Sequence, residues 1–335
     1  MKKLVTLLTL FFLLSCGNKI PQRFVNQGEA FGTTYSIQTY SLKKIELEKG
    51  IDSVIYVVNK SVSIYLPKSD ISKINKGDTS IIVDKIFEDN FNISAEIHKK
   101  TQGYFDPTIG VLRNAYGFGD TKPLKKIDSN TLDSLLQYVG FNKVKLTSEN
   151  KISKQYPEIY FDFNAVAKGY GIDQIGNYLE SKGISNYLIE LGGEILAKGK
   201  NIDKNKPWVV GIENVDSQLE DRSYSSIVSL QNEAMAASGN YRKFRIDSLT
   251  GKKYVHTLNP ITGSAEKSDV TSATVIASTC AVADAYATSF MALGLERSKE
   301  VLKTLSGIEA YLTYNNENNK EMVFVTEGFK THLLD

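Results

Sequence analysis

The chain has 335 residues, 41% of them hydrophobic and 23% charged, with 24 Gly and only 7 Pro. That length sets a prior of roughly one to three domains with a sizeable core, and the composition excludes collagenous, low-complexity and wholly disordered chains. The formal charge of +2 falls to zero once a leader carrying Lys2 and Lys3 is removed. No basic excess then remains to neutralise phosphates, which excludes nucleic acid as the main partner.

Residues 1–15 have the order of a signal peptide: Lys2-Lys3, an apolar run from Leu4 to Leu14, and Ser15 before Cys16. As a helix that run rises only about 16 Å, too short for a hydrocarbon core of about 30 Å. Leu13-Leu14-Ser15-Cys16 resembles a bacterial lipobox, which would make Cys16 the acylated N-terminus of an exported protein, lipid-anchored to a bacterial membrane on its periplasmic side. Ordinary secretory cleavage is the alternative. With Cys16 lipidated, Cys280 is the sole thiol, no intramolecular disulfide forms, and Cys280 reads as a small buried hydrophobe. Residues 16–27 read as lipidated N-terminus and polar tether. Residues 28–335 read as one continuous body, since no linker, charge block or internal repeat divides them.

In chain order, Thr33 to Tyr40 predicts a strand. Ile45 to Ser63 predicts a helix with Ile51, Val54, Ile55, Val58 and Val62 at helical spacing, Phe87 to Thr101 a second and Leu132 to Val139 a third. Phe163 to Leu179 is the clearest amphipathic helix, ending near a C-cap at Gly183. Tyr187 to Leu191 and Glu194 to Lys198 flank Gly192-Gly193 as a hairpin. Strands follow at Val209 to Ile212, Ile227 to Gln231, Tyr241 to Ile246, Tyr254 to Leu258 and Ser272 to Ala277, with turns at Leu249-Thr250-Gly251 and Pro260 to Gly263. Helices at Cys280 to Leu293 and Ser298 to Leu305 precede strands at Ala310 to Tyr314 and Met322 to Thr326. Helices followed by short-turn strands predict an α+β fold with mixed, largely antiparallel sheets.

The helix from Cys280 to Leu293 is apolar nearly all round yet carries Asp284 and Thr288 on one face. Such a carboxylate either joins oxygen ligands around a hard cation such as Mg²⁺ or pairs with a buried lysine or a backbone amide. Asp162 to Gly171 opens the amphipathic helix, where exposed N–H groups and Lys168 one turn in suit a phosphate; Asp162 as an N-cap and Lys168 as a solvated lysine is the plainer reading. His256, one of three histidines, stands just before the Asn259-Pro260 turn, either as a proton acceptor or as a structural histidine. Gly103 to Gly110 sets Tyr104, Phe105 and Asp106 in a Gly/Pro-bounded loop that either stacks on a planar ligand or plugs the core. No G-x-G-x-x-G follows a strand, and neither a Walker loop nor a Cys/His cluster for zinc is present.

Eight segments then stand in register: Phe31 to Tyr35, Tyr65 to Asp70, Gly103 to Gly110, Asp162 to Gly171, Glu190 to Glu194, Ser238 to Arg242, His256 to Gly263 and Ala283 to Thr288. Together they resemble the ApbE family, the FAD:protein FMN transferases, exported flavin-handling enzymes that are often lipoproteins. The resemblance implies a T-fold-related single body and a reaction in which a Thr or Ser hydroxyl of a partner flavoprotein attacks the FMN phosphorus of FAD and releases AMP. It also implies a ligand set: Asp284 and Thr288, with main-chain oxygens of Ala165 and Ala287, for Mg²⁺; Asp162 and Lys168 for FAD, with Lys168 near phosphate. Phe31, Tyr65, Tyr104, Phe105, Asp106 and Leu258 would line the rest of the flavin nucleotide site. His256 matches the family histidine that serves as base toward the acceptor hydroxyl. The family often has Asp where this chain has Asn240 and Asn259, and both are read here as turn-formers.

Three other readings compete with the transferase. An FAD pyrophosphatase would let water attack at the same site, and a flavin-binding carrier lipoprotein would need no base such as His256. A solute-binding lipoprotein fits the length and leader but not the eight segments.

Overall fold

The computed structural model describes residues 20–214, 223–240, 244–246, 253–265 and 268–334. The leader, Cys16, the turn at Leu249-Thr250-Gly251 and the first residues of the strand expected at Tyr241 lie outside them. In chain order the elements are β1 (Gln22–Ala30), β2 (Thr33–Ser41), α1 (Glu48–Val62), α2 (Asp70–Asn75), α3 (Lys85–Lys100), α4 (Gly110–Tyr116), α5 (Ser129–Leu136), β3 (Val144–Leu146), β4 (Ile152–Lys154) and α6 (Asn164–Ser181). The second half adds β5 (Tyr187–Leu191), β6 (Glu194–Lys198), β7 (Trp208–Glu213), β8 (Tyr224–Leu230), β9 (Glu233–Gly239), β10 (Phe244–Ile246), β11 (Lys253–Val255), β12 (Val270–Ala277), α7 (Cys280–Leu293), α8 (Leu295–Leu302), β13 (Glu309–Asn315), β14 (Glu321–Val325), α9 (Glu327–Lys330) and β15 (Leu333–Leu334).

An eight-stranded sheet in the order β1-β2-β5-β6-β9-β12-β13-β14 forms the spine, and all its ladders are antiparallel. The expected α+β class with largely antiparallel sheets is therefore what the chain adopts. Side chains alternate across the sheet as strand geometry requires. Ile37, Ile189 and Ala234 face α1 and α6, while Leu188, Ile195 and Met235 face Trp208, Val228 and Leu230 of the smaller β15-β8-β7 sheet. Among the described residues no helix is long and apolar enough to cross a membrane.

Residues 22–27, expected as tether, instead form most of β1, which pairs residue for residue with β2 from Gln22↔Ser41 to Ala30↔Thr33. As an edge strand with one free side it tolerates Gln22, Arg23, Asn26 and Gln27, so its composition reads as a linker. The strand expected from Tyr254 to Leu258 stops at Val255, because the Asn259 N–H turns back onto the Ser264 carbonyl at 2.9 Å and pulls His256 to Leu258 into a loop. Asn259 is a turn-former, its Oδ1 accepting the N–H groups of Ile261 and Thr262 at 2.9 and 3.2 Å. The helices expected at Leu132 to Val139 and Ser298 to Leu305 each begin three residues earlier. Asp128 caps the first of these through a bond from Thr131 N–H.

Helices α6 and α7 cross with their backbones in contact. A Cβ on Gly169 would lie 2.4 Å from the Cys280 carbonyl oxygen, so only glycine allows this approach. The N-terminus of α7 has no side-chain cap of its own at Thr279. Asp173 on α6 supplies one instead, accepting the N–H groups of Cys280 and Ala281 at 2.8 and 2.9 Å. Burial pushes the Asp173 carboxyl up to about 6 against the pull of those two bonds.

Candidate active site

At one end of the large sheet, the β1–β2 and β5–β6 turns, the end of β9, the start of α6 and the inner face of α7 enclose a cavity of about 800 Å³. The size and the mixed lining suit a small-molecule ligand. Phe31 closes the β1–β2 turn at φ +50°, followed by Gly32 at φ +79°, the positive-φ pair of a tight hairpin. That turn sends the Phe31 ring against Gly171 of α6, where a Cβ would meet it at 2.4 Å.

The charged end of the cavity is built by α6, α7 and β6. Lys168, in the second turn of α6, forms an ion pair with buried Glu194 at the head of β6. Asp284, in the second turn of α7, is 5% exposed and accepts the Gly169 N–H through Oδ2 at 3.2 Å. Burial raises the Asp284 carboxyl to about 7, opposed by Lys168 and reinforced by Glu194. Burial works against the Lys168 ammonium, but Glu194 and Asp284 outweigh it and hold its pKa above the usual lysine value. Thus both parts of the plainer expectation for Asp284, a neighbouring lysine and a backbone amide, are present.

One turn beyond Asp284, Thr288 Oγ1 lies 3.3 Å from Ser238 Oγ on β9. The Gly169 N–H that reaches Asp284 is the donor that in a regular helix bonds the Ala165 carbonyl, so both oxygens lie within reach of one N–H group. Asp284, Thr288 and the Ala165 carbonyl form an oxygen-only set with a single carboxylate. Such a set fits a hard ion like Mg²⁺ that keeps waters and takes further oxygens from a substrate phosphate. Ala165, Asp284 and Thr288 line the cavity; Ala287 does not, and is fully buried on α7.

The middle of the wall carries Asp162. Its Oδ2 lies 2.6 Å from Arg113 Nε, its Oδ1 accepts the Asn164 N–H at 2.8 Å, and its N–H donates to the Pro107 carbonyl at 2.7 Å. Phe163 occupies the N-cap position of α6, so Asp162 acts one residue outside the expected cap. The preceding Phe161 is clamped by the Asn75 side-chain amide, which donates to its carbonyl and accepts its N–H, both at 2.8 Å.

The loop wall holds the aromatic groups. Tyr65 is exposed and its hydroxyl accepts from Asn164 Nδ2 at 3.2 Å. Tyr104 has the Arg297 guanidinium 5.3 Å from its ring centroid. Asp106 is buried beside Phe105 and turns inward: Oδ1 accepts the Thr108 N–H and hydroxyl at 2.8 and 2.6 Å, and Oδ2 accepts the Phe141 N–H at 2.9 Å. His98 Nδ1 lies 3.5 Å from the same carboxylate. Burial raises the Asp106 carboxyl, and Thr108, His98 and Phe141 pull it back. What Asp106 offers the cavity is therefore a braced wall rather than a free carboxylate. His256, Leu258 and Pro260 complete this side, with Leu258 buried and His256 half-buried.

A family model described as the ApbE family matches residues 31–312 of the chain. The chain belongs to the ApbE family. Among its relatives, a protein from Haemophilus influenzae named FAD:protein FMN transferase is 32% identical over 90% of this chain and 88% of its own length. A protein of the same name from Vibrio cholerae is 33% identical over 98% of each. Among solved structures, the flavin transferase ApbE from Vibrio cholerae matches with a TM-score of 0.83 at 30% identity, covering 93% of this chain and 100% of that one. The ApbE protein from Thermotoga maritima, at 24% identity and a TM-score of 0.81, shares the fold.

Every cavity residue that the ApbE resemblance implied lines this one space, apart from Ala287. Sequence reasoning missed Glu194, Arg113, His98 and Asn75. Glu194 stood inside a matching ApbE segment without a role; only the structure, by burying Glu194 against Lys168, shows the two as counter-ions.

Proposed function

We propose that this chain is an Mg²⁺-dependent FAD:protein FMN transferase, exported and anchored through lipid on Cys16, that attaches FMN to a Thr or Ser hydroxyl of a target flavoprotein. The observation that carries this reading is the meeting, in one cavity, of the Lys168–Glu194–Asp284 charge cluster and Thr288 with the aromatic loop wall and His256. A pyrophosphate joining two ring systems needs a place for neutralising charge between apolar walls, which this cluster offers once its carboxylate side holds a cation.

Bound Mg²⁺ would supply charge neutralisation at the pyrophosphate oxygens. Asp284, Thr288 and the Ala165 carbonyl are the residues that would hold it. Lys168, kept ammonium by Glu194 and Asp284, adds a fixed positive charge for a phosphate oxygen. Phe31, Tyr65, Tyr104, Phe105 and Leu258 exclude water and offer faces to the rings. His256 takes the proton of the acceptor hydroxyl as its oxygen forms the new bond to the FMN phosphorus. The bond from that phosphorus to the bridging oxygen breaks, and AMP leaves with that oxygen.

The test incubates the full chain with FAD, Mg²⁺ and a partner domain bearing an acceptor Thr, and reads the partner's intact mass with and without chelator. A chelator-sensitive gain of one FMN is the expected result. FMN and AMP released with the partner unmodified would replace transfer by hydrolysis, and FAD bound without turnover would leave only a carrier.

A further inference from the structure

The large sheet has two ends of opposite character. The cavity occupies the end with the β1–β2 and β5–β6 turns. The other end gathers the start of β1, the end of β2, the start of β5 and the end of β6, as the pairings Gln22↔Ser41, Thr39↔Tyr187 and Tyr187↔Lys198 require. The loop from Asn201 to Lys206 closes on itself through backbone bonds at 2.9 and 3.3 Å. The Tyr40 hydroxyl, 2.9 Å from Asn201 Oδ1 and 2.8 Å from Asp203 Oδ2, fastens that loop to this end.

Six basic side chains stand exposed here without a carboxylate at ion-pair distance among the described residues: Arg23, Lys43, Lys182, Lys200, Lys204 and Lys206. Two further lysines are already paired, Lys44 with Glu46 at 3.1 Å and Lys198 with Glu180 at 3.3 Å. A chain with almost no net charge thus concentrates a cationic surplus at one pole. Two large apolar side chains are exposed beside it, Leu42 at 62% and Ile20 at 74%. On the sheet's far side this end is not basic: Glu233 is engaged by His332 at 3.1 Å and Glu309 by the Phe329 N–H.

We propose that this basic, apolar-tipped pole docks on anionic lipid headgroups, standing the sheet on the membrane with the cavity mouth turned away from it. The contact itself rests on charge and exposed side chains; its link to the chain's own anchor rests on the lipid-anchored reading proposed above. From Cys16 to Ile20 an extended chain spans at most about 14 Å, so an anchor on Cys16 keeps this pole near the bilayer without fixing the tilt of the body. The eight steps from Gln22 to Ala30 rise about 27 Å, which sets the height of the Phe31 wall above the headgroups. Acyl chains tether without orienting. Basic residues near an anionic surface add roughly fivefold each to binding and act only within a Debye length of about 8 Å, so a clustered pole orients the body where scattered lysines would not.

The full chain, reconstituted into vesicles of phosphatidylcholine alone or of an equal mixture with phosphatidylglycerol, is labelled with an amine-reactive reagent and mapped by mass spectrometry. In the anionic vesicles Lys43, Lys182, Lys200, Lys204 and Lys206 should label several-fold more slowly than in phosphatidylcholine, while Lys125, Lys303 and Lys320 label alike in both. High salt should erase the difference. A variant with Lys43→Glu, Lys200→Glu, Lys204→Glu and Lys206→Glu should lose the protection yet turn over FAD in detergent like the parent, which also shows that it folds. Equal labelling in both vesicles, with the protein floating in each, overturns the proposal and leaves the anchor standing. Flotation with anionic vesicles only, with the pole protected, overturns the anchor and supports the pole. Protection that arises only on adding an acceptor flavoprotein assigns the pole to protein docking and overturns the lipid proposal.

Discussion

On one side of the cavity, Lys168 and Asp284 stand on two helices whose backbones touch at Gly169. On the other, Asp106 and His256 stand in loops, and the loop carboxylate is satisfied by its own neighbours, Thr108 and Phe141. The helical wall leaves its charges facing one another and the cavity; the loop wall spends its charge on bracing itself. The helical wall is therefore suited to hold a cation and phosphates, where a tenth of a nanometre decides the chemistry. The loop wall presents apolar faces, where shape matters more than charge.

That contrast can be broken at defined points. Asp284→Ala should cost at least about 10³-fold in metal-dependent FAD turnover while the thermal unfolding midpoint barely moves; turnover retained in Mg²⁺ would remove the metal assignment. His256→Ala, on the loop wall, should slow single-turnover transfer by about 10²-fold and leave the FAD dissociation constant unchanged. An unaltered rate would end its role as base. Gly169→Ala forces a methyl into the Cys280 carbonyl and should destabilise the fold by about 1–3 kcal/mol, whereas Ile261→Ala at the rim of the loop wall should stay within about 0.5 kcal/mol. Denaturant melts of the two variants side by side check this, and equal midpoints would mean that the helix contact is not tight. Glu194→Gln releases Lys168 toward Asp284 and should weaken Mn²⁺ binding, measured without turnover, by about tenfold. Adding Lys168→Met to that variant should restore the affinity, and a failure to restore it would show that Glu194 acts through something other than the ammonium.

The elements with strong local patterns, whether a long apolar run or a Gly-Gly turn between apolar strands, were legible in the sequence. The helix from Cys280 to Leu293 and the hairpin around Gly192-Gly193 fall where the sequence predicts them. What escaped had weak local signals for identifiable reasons. β9 is made of Glu233, Met235 and small residues, with little β propensity, because α7 packs on its Ala234 and Ala236 side. α2 is only six residues long, too short for a periodic pattern, yet its Asn75 clamps the segment leading to Asp162. The pairings of Lys168 with Glu194 and Arg113 with Asp162 join different elements, and single-chain periodicity carries no information about such partners. Within the site, residues carried by a motif came together in one cavity, and the ones that brace them did not announce themselves.

The cap that Asp173 lends to α7 also bears on how the molecule is made. The helix carrying Asp284 and Thr288 donates its first N–H groups, those of Cys280 and Ala281, to one carboxylate that lies 107 and 108 positions before them in the chain. A helix that depends on so distant a cap gains little by forming early, since the loop between the two must close first. During synthesis α6 is complete long before α7 emerges, so the half-site on α6 waits for its partner. Loss of Asp173 should therefore show itself in the kinetics of acquiring flavin-binding competence on refolding, lagging behind the recovery of bulk secondary structure.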